Sequence, residues 1–176
     1  MNSVFLVGPM GAGKTAVGRP LARELDKQFF DSDLEIQQRT GVDVGFIFEK
    51  EGEQGFRARE RDAIAQLTQI GDIVLATGGG AVMDPDNRKH LSGRGVVVYL
   101  RASVAQQLQR TRMNRQRPLL DHDDPEQVLR ELAEQRDPIY REIASIVVDT
   151  DGRKVPAVVT EIAEKFRREF QETQAS

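Results

Sequence analysis

The chain has 176 residues, a length that suits one compact domain over 1–176, and 25 basic against 28 acidic side chains leave a formal charge of −3. That balance argues against general binding to nucleic acid or to an anionic membrane surface. Cysteine is absent, which excludes thiol catalysis, disulfides and cysteine-ligated metals.

The N-terminus runs from Met1-Asn2-Ser3 directly into Val4-Phe5-Leu6-Val7. It shows no basic leader, and glycine interrupts the apolar run before a signal peptide or membrane span could be completed, so a cytoplasmic protein is expected. Residues Ser3–Val7 read as a strand covered on both faces. Directly after it, Gly8-Pro9-Met10-Gly11-Ala12-Gly13-Lys14-Thr15 matches G-x-x-x-x-G-K-[ST] at every fixed position. Glycines there let backbone amides converge on phosphate oxygens, and a helix starting near Lys14 adds its positive end. Lys14 would reach the β- and γ-phosphates of a nucleotide, and the Thr15 hydroxyl would ligate Mg²⁺. Val17, Leu21 and Leu25 then recur every four residues, marking the buried face of that helix.

A second strand is predicted over Gln28–Asp31, followed by Asp31-Ser32-Asp33. Residues two apart on an extended segment face the same way, so both carboxylates can reach one cleft. One could hold water on Mg²⁺ and the other accept a hydrogen bond from a substrate hydroxyl; alternatively, one simply caps a helix starting near Leu34. Phe46 and Phe48 read as core, with Phe48 or Phe56 able to line a substrate ring. A third strand, Ile73–Ala76, leads into Thr77-Gly78-Gly79-Gly80, where three glycines imply close backbone approach to a ligand or a wide turn.

The fourth strand is predicted over Val96–Leu100. Beyond it, Arg110, Arg112, Arg115 and Arg117 precede Asp121-His122-Asp123-Asp124, with few apolar anchors, and residues 112–123 read as a mobile flap. Aromatics do not interleave with these arginines, so the flap is not read as a nucleic-acid patch. His90 and His122 have no metal-like spacing and read as surface residues. A fifth strand, Ile146–Val148, precedes a helix whose buried face is Val158, Val159, Ile162, Ala163, Phe166 and Phe170. Strands separated by helices imply right-handed crossovers, a mostly parallel sheet and an α/β three-layer sandwich. Such sheets bind ligands beyond the carboxyl ends of their strands.

Taken together, the motifs resemble the shikimate kinase family: G-P-M-G-A-G-K-T at 8–15, F-D-S-D at 30–33, E-G-E-Q-G-F-R at 51–57, L-A-T-G-G-G-A-V at 75–82, R-P-L-L at 117–120 and R-D-P-I-Y at 136–140. The resemblance implies a nucleoside-monophosphate-kinase fold with a five-stranded parallel sheet ordered 2-3-1-4-5. It implies ATP-dependent phosphorylation of the 3-hydroxyl of shikimate. On the acceptor side it implies Asp33, Arg57, Gly79 with its neighbours Gly78 and Gly80, and Arg136, in a substrate-binding segment at about 33–60. Both arginines would grip the substrate carboxylate, for which a planar guanidinium is suited. On the nucleotide side it implies Gly11, Ala12, Gly13, Lys14, Thr15 and Ala16, with Arg110, Arg117 and Arg153. Thr15 would bind Mg²⁺ directly and Asp31 through water. Lys14, Asp33 and Arg117 would act on the reacting groups, Asp33 chiefly by positioning the hydroxyl and Arg117 by closing with the flap. A monomer is expected.

Two other functions fit part of the pattern. Another small-molecule kinase of the same fold, such as a gluconate kinase, would share the phosphate loop and the flap arginine but would not need the Arg57/Arg136 pair. A non-catalytic ATP-binding regulator would need fewer of Lys14, Thr15, Asp31 and Arg117 together.

Overall fold

The computed structural model describes residues 2–111 and 124–176. The expected flap, with Arg112, Arg115, Arg117 and His122, lies outside the described residues. Five parallel strands, β1 (Val4–Val7), β2 (Gln28–Asp31), β3 (Ile73–Ala76), β4 (Val96–Arg101) and β5 (Ile146–Asp149), form one sheet in the order β2-β3-β1-β4-β5. Each strand lies within one residue of its predicted bounds, and the order is the one the family resemblance implies. The helices are α1 (Lys14–Glu24), α2 (Ser32–Thr40), α3 (Val44–Leu67), α4 (Pro85–Arg94), α5 (Val104–Thr111), α6 (Pro125–Ile143) and α7 (Val155–Ala175), with a 3₁₀ turn at Ala81–Met83.

β1, β3 and β4 are apolar at consecutive positions because both faces are covered, whereas the edge strand β5 alternates buried and exposed residues. Val4, Leu6, Val74, Val98 and Leu100 pack with Val17 and Leu21 of α1 and with Val158, Ile162 and Phe166 of α7. The alternate residues, Phe5, Val7, Ile73, Leu75, Val97 and Tyr99, pack with Ile64 and Leu67 of α3, Leu91 of α4 and Tyr140 of α6. Each such side chain, fully buried, contributes about 1.5–3 kcal/mol over remaining exposed. A third, smaller cluster of Ile36, Ile47, Phe56 and Ala63 joins α2 to α3 away from the sheet.

Two features of the helices differ from expectation. Phe48 packs against the Phe56 ring at 4.8 Å, but Phe46 is exposed, its ring facing the Lys50 ammonium rather than the core. Helix α3 is broken at Gly52, where φ is 73° and ψ −179°, a conformation open to glycine and costly to other residues. Glu51 and Arg59 clasp the break, Arg59 donating from Nε at 2.6 Å and from Nη2 at 3.0 Å.

Register brings the strand ends together. Leu6 lies opposite Ala76, and Ala76 opposite Asp31, so the chain leaves β1, β2 and β3 at one edge of the sheet. The Gly8 loop, the Asp31–Asp33 segment and the Thr77–Gly80 run therefore meet there.

Candidate active site

Gly8, Gly11 and Gly13 carry positive φ values of 148°, 80° and 88°, and the backbone between them curls over the start of α1. Gly13 is the N-cap of α1 and supplies no side-chain bond, and the first turn holds no acidic residue. The helix therefore begins with amides and a partial positive charge directed to the cleft, a ready seat for an anion. Lys14 donates from Nζ to the carbonyls of Gly8 at 2.5 Å and Pro9 at 2.9 Å, which folds its cation back over the loop.

Across the cleft, the Thr15 hydroxyl donates to Asp31 Oδ2 at 2.6 Å. The other oxygen, Oδ1, accepts from the amides of Asp33 and Leu34 and caps α2. Asp31 is thus the helix cap that the sequence allowed for, and its other oxygen faces the Thr15 hydroxyl. Helix α2 starts at Ser32, not near Leu34, so Asp31 and Asp33 are not two alternate positions of an extended segment. Both nevertheless line a cleft of about 270 Å³ with Gly13, Lys14, Thr15 and Arg110. A hydroxyl beside a carboxylate, with no cluster of three acidic or histidine ligands among the described residues, fits Mg²⁺ held mainly by phosphate and water.

The far end of the cleft is built from the glycine run. Thr77 anchors it, donating from its amide and hydroxyl to the Leu6 carbonyl at 3.1 and 2.9 Å. Gly78 donates to the Ser32 hydroxyl at 3.2 Å. A methyl group at Gly78 would sit 2.8 Å from Glu60 Oε2 and 3.1 Å from Asp33 Oδ1, and one at Gly80 would collide with the Arg57 guanidinium. Glycine leaves room here for two carboxylates and an arginine, whose side-chain ends crowd this strand end. The buried face of α3, with Phe56, Ile64 and Leu67 inside, turns Arg57 towards Gly80.

Glu60 was not among the residues singled out from sequence. It is 1% exposed, accepts from Arg57 Nη1 at 2.7 Å, and has a second oxygen, Oε2, buried without a partner among the described residues. Burial pushes its carboxyl up to about 7, against the pull of Arg57 and with a further push from Asp33. Burial works against the Arg57 charge, yet Glu60 and Glu53 together hold its proton more firmly than in water. A signal was available: position 60 falls in the stripe of Phe56, Ala63, Ile64 and Leu67, where a glutamate must be paired.

Arg136 is 6% exposed, and its Nη1 would stand 3.5 Å from a methyl group at Gly79. Its Nε is buried without a partner among the described residues, a donor suited to an anion. The sequence pattern ends the helix before Asp137-Pro138, but α6 continues through Pro138 to Ile143. Proline here removes one intrahelical donor without ending the helix, whose later turn is held by buried Tyr140. A second hollow, of about 380 Å³, lies between α5, α6 and the Pro9-Met10 side of the loop, with Arg136 in its wall.

A family model described as shikimate kinase matches residues 10–167. The chain belongs to the shikimate kinase family. A shikimate kinase of Alteromonas mediterranea is 54% identical over 165 residues, covering 94% of this chain and 96% of that one. A solved shikimate kinase of Acinetobacter baumannii, in complex with shikimate, superposes with a TM-score of 0.90 at 46% identity, covering 100% of this chain and 96% of that chain. A gluconokinase of Sinorhizobium meliloti, at 17% identity and a TM-score of 0.62 over 99% of this chain and 98% of its own, shares the fold alone.

Within this shikimate kinase framework, Arg110 lies at the nucleotide end, donating to the Gly11 carbonyl at 2.8 Å and to the Thr150 carbonyl at 3.0 Å. Arg153 stands apart from the cleft lining, donating to the Asp149 carbonyl and pairing with Glu161, both at 2.9 Å. Gly11, Gly13, Lys14, Thr15, Ala16, Asp31, Asp33, Gly78 and Gly79 share the smaller cleft. His90 is half-buried and away from it.

Proposed function

We infer that this chain transfers the γ-phosphoryl group of ATP to the 3-hydroxyl of shikimate, giving shikimate 3-phosphate and ADP. The observation that carries the reading is one cleft in which the phosphate loop and Thr15–Asp31 face Asp33 and the glycine run.

In this division of roles, the amides of Gly11–Ala16 and the α1 terminus seat the phosphates. Lys14 leaves the loop carbonyls for the β- and γ-oxygens. Thr15 would hold Mg²⁺, with Asp31 acting through water, and that ion would supply neutralisation of charge on the phosphate oxygens. Arg110 and Arg153 serve the nucleotide end, and Arg117, outside the described residues, stabilises charge on the transferring group.

On the acceptor side, Arg57 and Arg136 take the carboxylate, and Asp33 with the amides of Gly78, Gly79 and Gly80 takes the hydroxyls. Phosphoryl transfer proceeds through a loose transition state, so Asp33 acts by aligning the 3-hydroxyl more than by basicity. Asp33→Asn that leaves kcat near normal while raising KM supports alignment; kcat falling by about 10³ at unchanged KM supports a base. The working unit proposed is a cytoplasmic monomer with one catalytic domain, in which residues 33–60 bind the acceptor. Among the described residues, no helix is long and apolar enough to cross a membrane.

The test is ADP release with shikimate, with gluconate and with no acceptor. ADP release that shikimate does not accelerate overturns the reading, and acceleration by gluconate instead moves it to the other kinase class.

A further inference from the structure

Helix α6 carries a second side chain into the acceptor end, one turn beyond Arg136. Tyr140 is 2% exposed, and its hydroxyl donates to the Gly79 carbonyl at 2.5 Å. The Arg136 guanidinium lies beside the same glycine, its Nη1 3.5 Å from where a methyl group at Gly79 would stand. The Tyr140 ring is stacked on Tyr99 of β4 with centroids 4.9 Å apart, and the Tyr99 hydroxyl is tied to Asp137 Oδ1 at 2.6 Å. Asp137 is in turn held by Arg141 at 2.9 Å. The phenol is therefore fixed in place by the sheet on one side and by its own helix on the other.

Building on the acceptor reading above, we propose that Tyr140 is a positioning residue for the acceptor, its hydroxyl holding the Gly79 backbone beside the Arg136 guanidinium. A trans peptide holds its carbonyl and amide on opposite sides. By drawing the Gly79 carbonyl towards α6, Tyr140 sets the direction of the Gly80 amide in the same peptide plane. That run would otherwise be free to turn, because three consecutive glycines lack the side chains that restrict φ and ψ. Gly79 also lies against Arg136, whose Nε has no described partner, so the peptide that Tyr140 holds sits between the group proposed for the ring hydroxyls and the group proposed for the carboxylate.

Several features favour positioning over chemistry. Tyr140 holds its proton up to about 12, burial being the main cause, so it remains a donor at any working pH. It does not line the cleft that holds Lys14, Thr15 and Asp33. A residue that sets the acceptor's seat without touching the nucleotide should affect the two substrates unequally.

The experiment compares Tyr140→Phe and Tyr99→Phe with the unaltered protein. Both keep the stacked rings, and each removes one hydroxyl from the same buried pair. Tyr140→Phe is expected to raise KM for shikimate by about tenfold, the loss of a buried hydrogen bond, with KM for ATP within about twofold. Tyr99→Phe is expected to leave both KM values within about twofold while lowering the melting temperature comparably, so it controls for stability. Equal rises in both KM values for Tyr140→Phe, or no rise for shikimate, overturn the proposal. Direct titration of shikimate onto each protein decides the matter if turnover is too low to measure. Failure of the unaltered protein to use shikimate would instead refute the function from which the proposal starts.

Discussion

Thr15 and Asp31 are joined by a 2.6 Å hydrogen bond that spans the space between the start of α1 and the end of β2. With Asp31 also capping α2, one carboxylate ties the nucleotide loop to the acceptor segment. Asp31→Ala should then do two separable things. Loss of the cap should cost about 1 kcal/mol in a denaturant titration. Loss of the carboxylate should also raise the Mg²⁺ concentration for half-maximal rate about tenfold. Asp31→Asn, which retains a capping oxygen, should recover most of the stability and little of the metal dependence.

Glu60 should make stability depend on pH in an unusual direction. Its carboxyl titrates at about 7 in the folded chain against 4.5 as the ordinary value. A raised value means the folded state binds the proton more tightly, so this contribution is complete below about 4.5 and is lost as pH rises through about 7. The loss is of order 3 kcal/mol at most. Glu60→Gln should flatten the fall in melting temperature between those two pH values; an unchanged pH profile would remove Glu60 as its source.

Gly80→Ala should separate folding from substrate capture. The added methyl meets the end of a flexible guanidinium, not backbone, so Arg57 can swing aside and the fold should persist. Arg57 would lose its seat, and KM for shikimate should rise about tenfold or more while KM for ATP stays nearly constant. Steady-state kinetics with each substrate varied in turn checks this.

Arg110→Ala should give the opposite pattern. Its guanidinium joins the Gly11 carbonyl to Thr150, so the phosphate loop loses its tie to the turn after β5. KM for ATP should rise about tenfold with little change for shikimate. A rise confined to shikimate would argue against placing Arg110 at the nucleotide end.

Much of this molecule was legible from its residues, for physical reasons that also explain the misses. Strands such as Ile73–Ala76 stood out because burial on both faces makes every position apolar. The phosphate loop stood out because amides converging on an anion need glycines at fixed spacing. Asp31 was half-read, since a strand end that becomes a helix start changes which residues share a face. Pro138 suggested a stop, but tertiary burial of Tyr140 keeps α6 going. Glu60 was overlooked because a glutamate on a helix is usually solvated, and only the guanidinium beside it reverses that. Tyr140 lay within a quoted motif, yet nothing local in sequence indicates that its hydroxyl reaches a carbonyl 61 residues away.

The small cluster of Ile36, Ile47, Phe56 and Ala63 has a further consequence for how such enzymes diversify. It gives the stretch between Asp33 and Arg57 an interior of its own, apart from the two layers that hold the sheet. On the proposed division of roles, a lineage could exchange this stretch as a cassette, altering which alcohol is accepted while inheriting the ATP half intact. Transplanting residues 33–63, which stops short of the Ile64 and Leu67 that pack on the sheet, is then a more natural route to a new acceptor than point changes scattered over the cleft.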